Sequence, residues 1–258
     1  MCLPSTFAKA SAPRPLSECN RVRTSINCLL LYRMYAGISA LSPSHLPTSI
    51  PKSHLRHASP VTIPVRSPSS QNQPTYPTHL LAITCNSKSQ TGTSDHVPLI
   101  ATHSLVLAAH CASLPRMPYS YTQVRNGTVT IPVIPLSVPS PAAFQTLHQY
   151  LYSHNIAQLL STLIPSIPPQ FLSTLSSQSI RSTLGTGSKL HQLSAHCFSQ
   201  TRAEGGHPTQ ILMGQAQHIN ALWRNAVALG CSDNDLWDVI DLAWEVILGS
   251  LNLAAGVH

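Results

Sequence analysis

Two His-Cys pairs are the first residues whose types could do chemistry. His110-Cys111 and His196-Cys197 are each preceded by a further histidine, His103 and His191. Imidazole nitrogen and thiolate sulfur are the usual donors to zinc, and four such groups brought together would complete a tetrahedral site. The spacing argues against it, because neighbours on a helix point about 100° apart and chelate one ion poorly. Cysteines 2, 19, 28, 85, 111, 197 and 231 are odd in number and form no C-x-x-C pair. They indicate neither a ribbon-type zinc site nor a disulfide framework. The reading is therefore no metal and no cofactor, with His103 and His110 as capping or buried hydrogen-bonding residues.

Signs of catalysis are as sparse. Leu107-Ala108-Ala109-His110-Cys111 looks like the segment around the catalytic histidine of chymotrypsin-like proteases, but that chemistry needs a nucleophilic serine in a glycine-rich turn, and no G-D-S-G-G follows. There is no G-x-S-x-G elbow and no G-x-G-x-x-G. Gly185-Thr186-Gly187-Ser188-Lys189 lacks the spacing and the preceding strand of a phosphate-binding loop. Hydrolysis by paired carboxylates needs two acids facing a cleft, whereas Asp233, Asp235, Asp238, Asp241 and Glu245 crowd into one short stretch. No catalytic residue is expected.

That acidic stretch is the candidate working surface. Asp238, Asp241 and Glu245 recur at i, i+3 and i+7, which lines them along one face of a helix. Trp237 and Trp244, seven residues apart, share a neighbouring face. Aromatic residues beside a charged stripe can form an interaction hot spot, and acid suits a basic partner. The ordinary alternative is tryptophans in the core and carboxylates in water.

The elements that would position these residues follow from composition and periodicity. Charged residues are 9% of the chain, against roughly 25% in an average soluble domain. The formal charge of +7 lies wholly in residues 1–66, where eight Lys/Arg face the single acid Glu18. These basic residues are spread among Ser and Pro rather than massed on a face, so direct nucleic-acid binding is not expected. Residues 1–74, rich in Pro, Ser and Thr, read as a mostly disordered basic arm. Its first 37 residues have the Arg/Ser-rich, acid-poor make-up of a mitochondrial leader, although Pro4, Pro13 and Pro15 break any amphipathic helix. The run 26–41 contains Arg33 and is too short to span a bilayer, so no membrane span is expected.

Residues 75–258 read as one globular α+β domain. His79–Cys85 and Val97–Ile100 are short apolar runs consistent with strands. Residues 86–96 read as a polar loop. Thr102 to Leu114 reads as a buried helix capped by Thr102 and ended by Pro115. Gly127–Leu136 must be extended, and its two prolines point to an edge strand. Ser140-Pro141 opens a helix with Phe144, Leu147, Tyr150 and Leu151 on its apolar face. Residues 165–210 read as a flexible Ser/Gln-rich insert with helical pieces near Pro169–Leu175 and Ser188–Phe198. A helical pair ends the chain. Ile211–Leu229 carries Leu212, Ile219, Leu222, Trp223 and Ala226 on one side and stops at Gly230. Asp233 to about Leu251 follows, with Ser232-x-x-Asp235 as a capping box.

Several of these strings carry a resemblance. His218-x-x-x-Leu222-Trp223-Arg224-Asn225-Ala226, continued by Leu236-Trp237-x-x-Ile240-Asp241-x-Ala243-Trp244-Glu245-Val246, is similar to the clampless family of basidiomycete fungi. So are Thr78–Ala82, His103–Cys111 and Pro139-Ser140-Pro141. The resemblance implies a developmental regulator of the mating-type pathway, needed for clamp-cell formation and dikaryotic growth. It would act in the nucleus or cytoplasm with that pathway's homeodomain transcription factors; it implies no catalytic residues. The leader keeps a mitochondrial protein of unknown activity as the alternative. A second resemblance concerns fold: His103, Val106, Leu107, Ala108 and Ala109, then Phe144, Leu147, Tyr150, Leu151 and Tyr152, are similar to the core helices of BTB/POZ domains. It implies a small sheet packed by helices, and an adaptor role. Cys111 and the proline-rich strand depart from that pattern.

Overall fold

A computed structural model describes residues 48–57, 60–64, 76–85, 96–118, 120, 124–203, 205 and 207–256. The leader, most of the basic arm and the loop 86–95 lie outside the described residues.

The architecture starts from β3 (His79–Cys85), whose side chains are apolar on both faces. Such a strand needs cover on each side. Leu81 and Ile83 face one core, Leu80 and Ala82 the other, as the two-residue period of a strand requires. β3 lies between β4 (His96–Thr102), antiparallel, and β7 (Val133–Val138), parallel. β1 (Ser49–Pro51) completes a sheet of order β1-β4-β3-β7.

A second, antiparallel sheet of order β2-β6-β5 consists of β2 (Val61–Pro64), β6 (Thr128–Ile131) and β5 (Val124–Arg125). Asn126 and Gly127, with φ of 51° and 70°, make the tight turn between β5 and β6, the left-handed pair that hairpins favour. Ile63, Val129 and Ile131 pack with Leu80, Ala82, Val97, Leu99, Ala101 and Val133 as the smaller core.

Helices cover the opposite face of β3 and β7. They are α1 (Ser104–His110), α2 (Pro141–Ser153), α3 (Ile156–Leu163), α4 (Pro169–Ser173), α5 (Ser177–Leu184), α6 (Gly187–Ala203), α7 (Pro208–Leu229) and α8 (Asn234–Ala254). Phe144, Leu147 and Leu151 of α2 are fully buried against this face. Ser140 caps α2 by accepting from the Ala143 amide, with Pro141 in the first turn. The C-terminal helical pair is α7 and α8, and Gly230 at φ 64° ends α7. The α+β class read from the sequence holds.

The boundaries differ from the sequence reading in instructive ways. Thr102 belongs to β4, and α1 begins after His103 without a side-chain cap. The helix stops at His110 because Cys111 turns into an antiparallel β-bridge with Cys231. Gly127–Leu136 is not one edge strand: it breaks at Pro132, and β6 is the middle strand of its sheet while β7 is an edge. Asp233, not Ser232, caps α8, its carboxylate accepting from the Asp235 amide at 3.0 Å. Within the arm, Ser49–Pro51 and Val61–Pro64 are strands, because both find partners on existing sheet edges.

The largest correction is 165–210. The helical pieces read near Pro169–Leu175 and Ser188–Phe198 are α4 and the longer α6, α5 stands between them, and Ile180, Leu193, Ser194, Cys197 and Thr201 are buried rather than part of a loose insert. Ser176 and Ser179 form a reciprocal capping box at the start of α5. Small residues here provide close helix contact rather than flexibility. Ser194 of α6 donates to the Val246 carbonyl of α8, and Ser250 of α8 donates to the Ser194 carbonyl.

Gly249 is the closest point of that contact, since a Cβ there would come within 2.9 Å of Ser194 Cβ. Gly249→Ala is therefore expected to destabilise the fold by about 1–3 kcal/mol through overpacking, despite the better helix propensity of alanine. Urea unfolding of the two proteins measures it; an equally or more stable variant would show that α6 and α8 are not in contact there.

Candidate functional site

The acidic helix was the site read from the sequence, and the structure divides its members. Asp241 and Glu245 are exposed on α8. Asp238 is mostly covered and accepts a 2.7 Å ion pair from Arg181 Nε of α5. The Arg181 side of that pair is mostly exposed, so it adds a modest increment to stability. Trp237 and Trp244 are only partly exposed and pack against the main core. Trp237 also donates its indole N–H to the Cys231 carbonyl at 3.0 Å, closing the turn before α8. The tryptophans therefore do structural work, and the accessible part of the stripe is Asp241 and Glu245.

Trp223 reverses the expectation made for it. It was placed with Leu212, Ile219, Leu222 and Ala226 on the apolar side of α7, yet those four are buried and Trp223 is exposed. Met213 and Val227 of the same helix are exposed as well. The buried position that propensity did not reveal is Asn225: its side-chain amide donates to the Ser140 carbonyl at 2.7 Å, and its carbonyl accepts from the Ser140 amide at 2.9 Å. This pair of bonds joins α7 to the cap of α2.

Four of the histidines fall into two groups. The first is a buried polar network between β4, α1 and α2. Tyr152 Oη accepts from the His103 amide at 2.7 Å and lies 3.0 Å from His103 Nδ1 and 3.3 Å from Thr102 Oγ1. Thr102 Oγ1 is 3.2 Å from His148 Nε2. Burial pushes the Tyr152 hydroxyl up to about 12. Burial, with His103 nearby, pulls His148 down to about 4. Both stay neutral near pH 7, which lets them share hydrogen bonds inside an apolar layer.

The second group lies where three helix ends meet. His110 closes α1, His154 is the cap after α2 at φ 47°, and Asp233 caps α8. The two Nε2 atoms of His110 and His154 are 3.3 Å apart, and His154 Nδ1 is 3.2 Å from Asp233 Oδ2. Beside them the Cys111 and Cys231 sulfurs are 3.7 Å apart. The contact with Cys111, and then burial, push the Cys231 thiol well up, which disfavours the thiolate that nucleophilic chemistry needs. Among the described residues, His110, His154 and Asp233 are the one group of three that could hold a metal ion. The residues weighed as ligands from the sequence, His103, His110, Cys111, His191, His196 and Cys197, do not form such a group among themselves. Cys197 lies elsewhere, its thiol toward the Ser166 carbonyl, while His154 and Asp233 carried no motif.

The lowered pKa of His148 fixes a sign for pH dependence. Its neutral form is favoured in the fold, so the unfolded chain binds more protons between pH 6.5 and about 4. Stability falls as pH drops through that window, and His148 contributes a loss of roughly 3 kcal/mol. Urea unfolding across the window should show the fall, and His148→Gln should remove this share; an unchanged slope in the variant would count against a buried neutral imidazole.

Among the described residues no helix is long and apolar enough to cross a membrane. Comparison with known proteins gives no match among curated proteins and none among solved structures. Two family models do match. Residues 26–139 match the N-terminal domain of Clampless protein 1, and residues 157–258 match its C-terminal domain. With both domains present in order over most of its length, this chain belongs to the clampless protein family.

Proposed function

We propose that this protein is a non-catalytic regulator of fungal sexual development that binds other proteins, acting with mating-type homeodomain transcription factors in the nucleus or cytoplasm. The observation that carries the reading is the match to both Clampless protein 1 domains. Membership of that family points to clamp-cell development. The finer part, a basic transcription-factor partner, is supported by charge: Asp241 and Glu245 project from α8 in a chain with few other acids. Opposite charge speeds encounter and selects partners more than it adds affinity.

Affinity purification of the tagged chain from mating fungal cells, followed by mass spectrometry, tests the reading. Recovery of mating-type transcription factors is expected. Recovery of mitochondrial import machinery would favour the leader-based alternative, and a fluorescent fusion would then locate to mitochondria.

The surface has its own test. Asp241→Ala with Glu245→Ala, leaving Asp238 to hold Arg181, should change unfolding by no more than about 0.5 kcal/mol and reduce partner capture several-fold. Unchanged capture with this variant, combined with loss in Trp223→Ala, would move the contact to the exposed face of α7 and end the acidic-face reading.

A further inference from the structure

We infer that His110, His154 and Asp233 form a zinc site that fastens together the ends of α1, α2 and α8. One donor atom from each residue lies within 4.8 Å of the others. In a tetrahedral site with zinc–nitrogen bonds of about 2.0–2.1 Å, neighbouring donors stand roughly 3.3 Å apart. His154 Nδ1 and Asp233 Oδ2 are already 3.2 Å apart. His110 Nε2 lies 3.3 Å from the other ring nitrogen of His154, Nε2, so closing the site takes a side-chain rotation that turns one donor of each residue to a common point.

The chemistry of the donors fits a borderline divalent cation. Two imidazoles and a carboxylate are a common three-ligand set for zinc, leaving a fourth position for water or a further side chain. Asp233 is 1% exposed, and a buried carboxylate gains most from a cation bound directly to it. His154 holds a left-handed backbone at a helix C-cap, where glycine or asparagine is usual. Its ring is engaged on both sides, by Asp233 at Nδ1 and by His110 at Nε2, and strain of this kind persists where the surroundings need that side chain.

The positions of the three give the site its consequence. His110 lies in the region matching the N-terminal domain, Asp233 in the region matching the C-terminal domain, and His154 between the two. An ion held by all three links three chain segments at the junction of α1, α2 and α8. Binding to the folded chain alone then adds stability with rising zinc concentration.

The test uses the purified full chain, stripped with a chelator and titrated with zinc chloride. Metal content, calorimetry and thermal unfolding are read together. About one tightly held ion per chain and a higher unfolding midpoint are expected. His154→Gly removes one ligand while suiting the left-handed backbone, so it should fold, lose at least about ten-fold in zinc affinity and show no rise in midpoint. Asp233→Asn should lose the ion as well. Zinc bound equally well by His154→Gly would place it on other histidines and overturn the site, as would no uptake by the unaltered chain. Loss of zinc only in Cys111→Ser with Cys231→Ser would assign it to the thiols, and overturn the inference too.

Discussion

The constraint from which the rest of the structure follows is that β3 has no face for water. A seven-residue strand reading His-Leu-Leu-Ala-Ile-Thr-Cys places apolar groups alternately up and down, and a single-layer partner would leave half of them wet. Two unlike layers solve this. The small β2-β6-β5 sheet closes over Leu80 and Ala82, and the helices close over Leu81 and Ile83. β7 repeats the division, with Val133 in the smaller core and Ile134, Leu136 and Val138 in the larger. Each buried leucine contributes on the order of 2 kcal/mol, so the layering is a strong preference summed over many residues.

Apolar burial alone does not fix how helices sit on a sheet, since hydrophobic contact is non-directional. In this chain the directional part falls to a few buried polar groups. Asn225 clasps the Ser140 backbone, Tyr152 receives the amide at the start of α1, and Ser194 and Ser250 tie α6 to α8. Each would leave polar atoms unsatisfied in an apolar layer if its helix slid, at a cost of about 1–3 kcal/mol per group. A chain with so few charged residues has little else with which to set helix register. Its histidines take that part: His79, His103, His110 and His148 are all largely buried.

What the sequence disclosed and what it withheld divide along the same line. Periodicity marked α2, α7 and α8, whose apolar residues recur at helical spacing. β3 was visible as an unbroken apolar run. Two helices of 165–210 were legible as short pieces, but α5 and the packing of all three were hidden because their contacts use serine, threonine and glycine, types that composition assigns to loops. Trp223 was misplaced because helical periodicity gives a direction only to within a residue or so, and it sits at the margin of the apolar stripe. The polar cluster of His110, His154 and Asp233 had no local signature, since its members lie 44 and 79 residues apart and meet only when three helix ends converge.

The two matched regions meet inside one fold rather than side by side. α2 falls between them, outside both, yet it is among the most deeply buried helices, packed on α7 from one region and on α1 and β3 from the other. The Cys111–Cys231 bridge crosses the same divide, with backbone bonds from Ala112 to Gly230 and from Ser232 to His110. Separating the regions would expose the apolar face of α2 together with its polar clasps. α8 is packed on α6, α7, α5 and α3, and Asp241 and Glu245 lie on its exposed side.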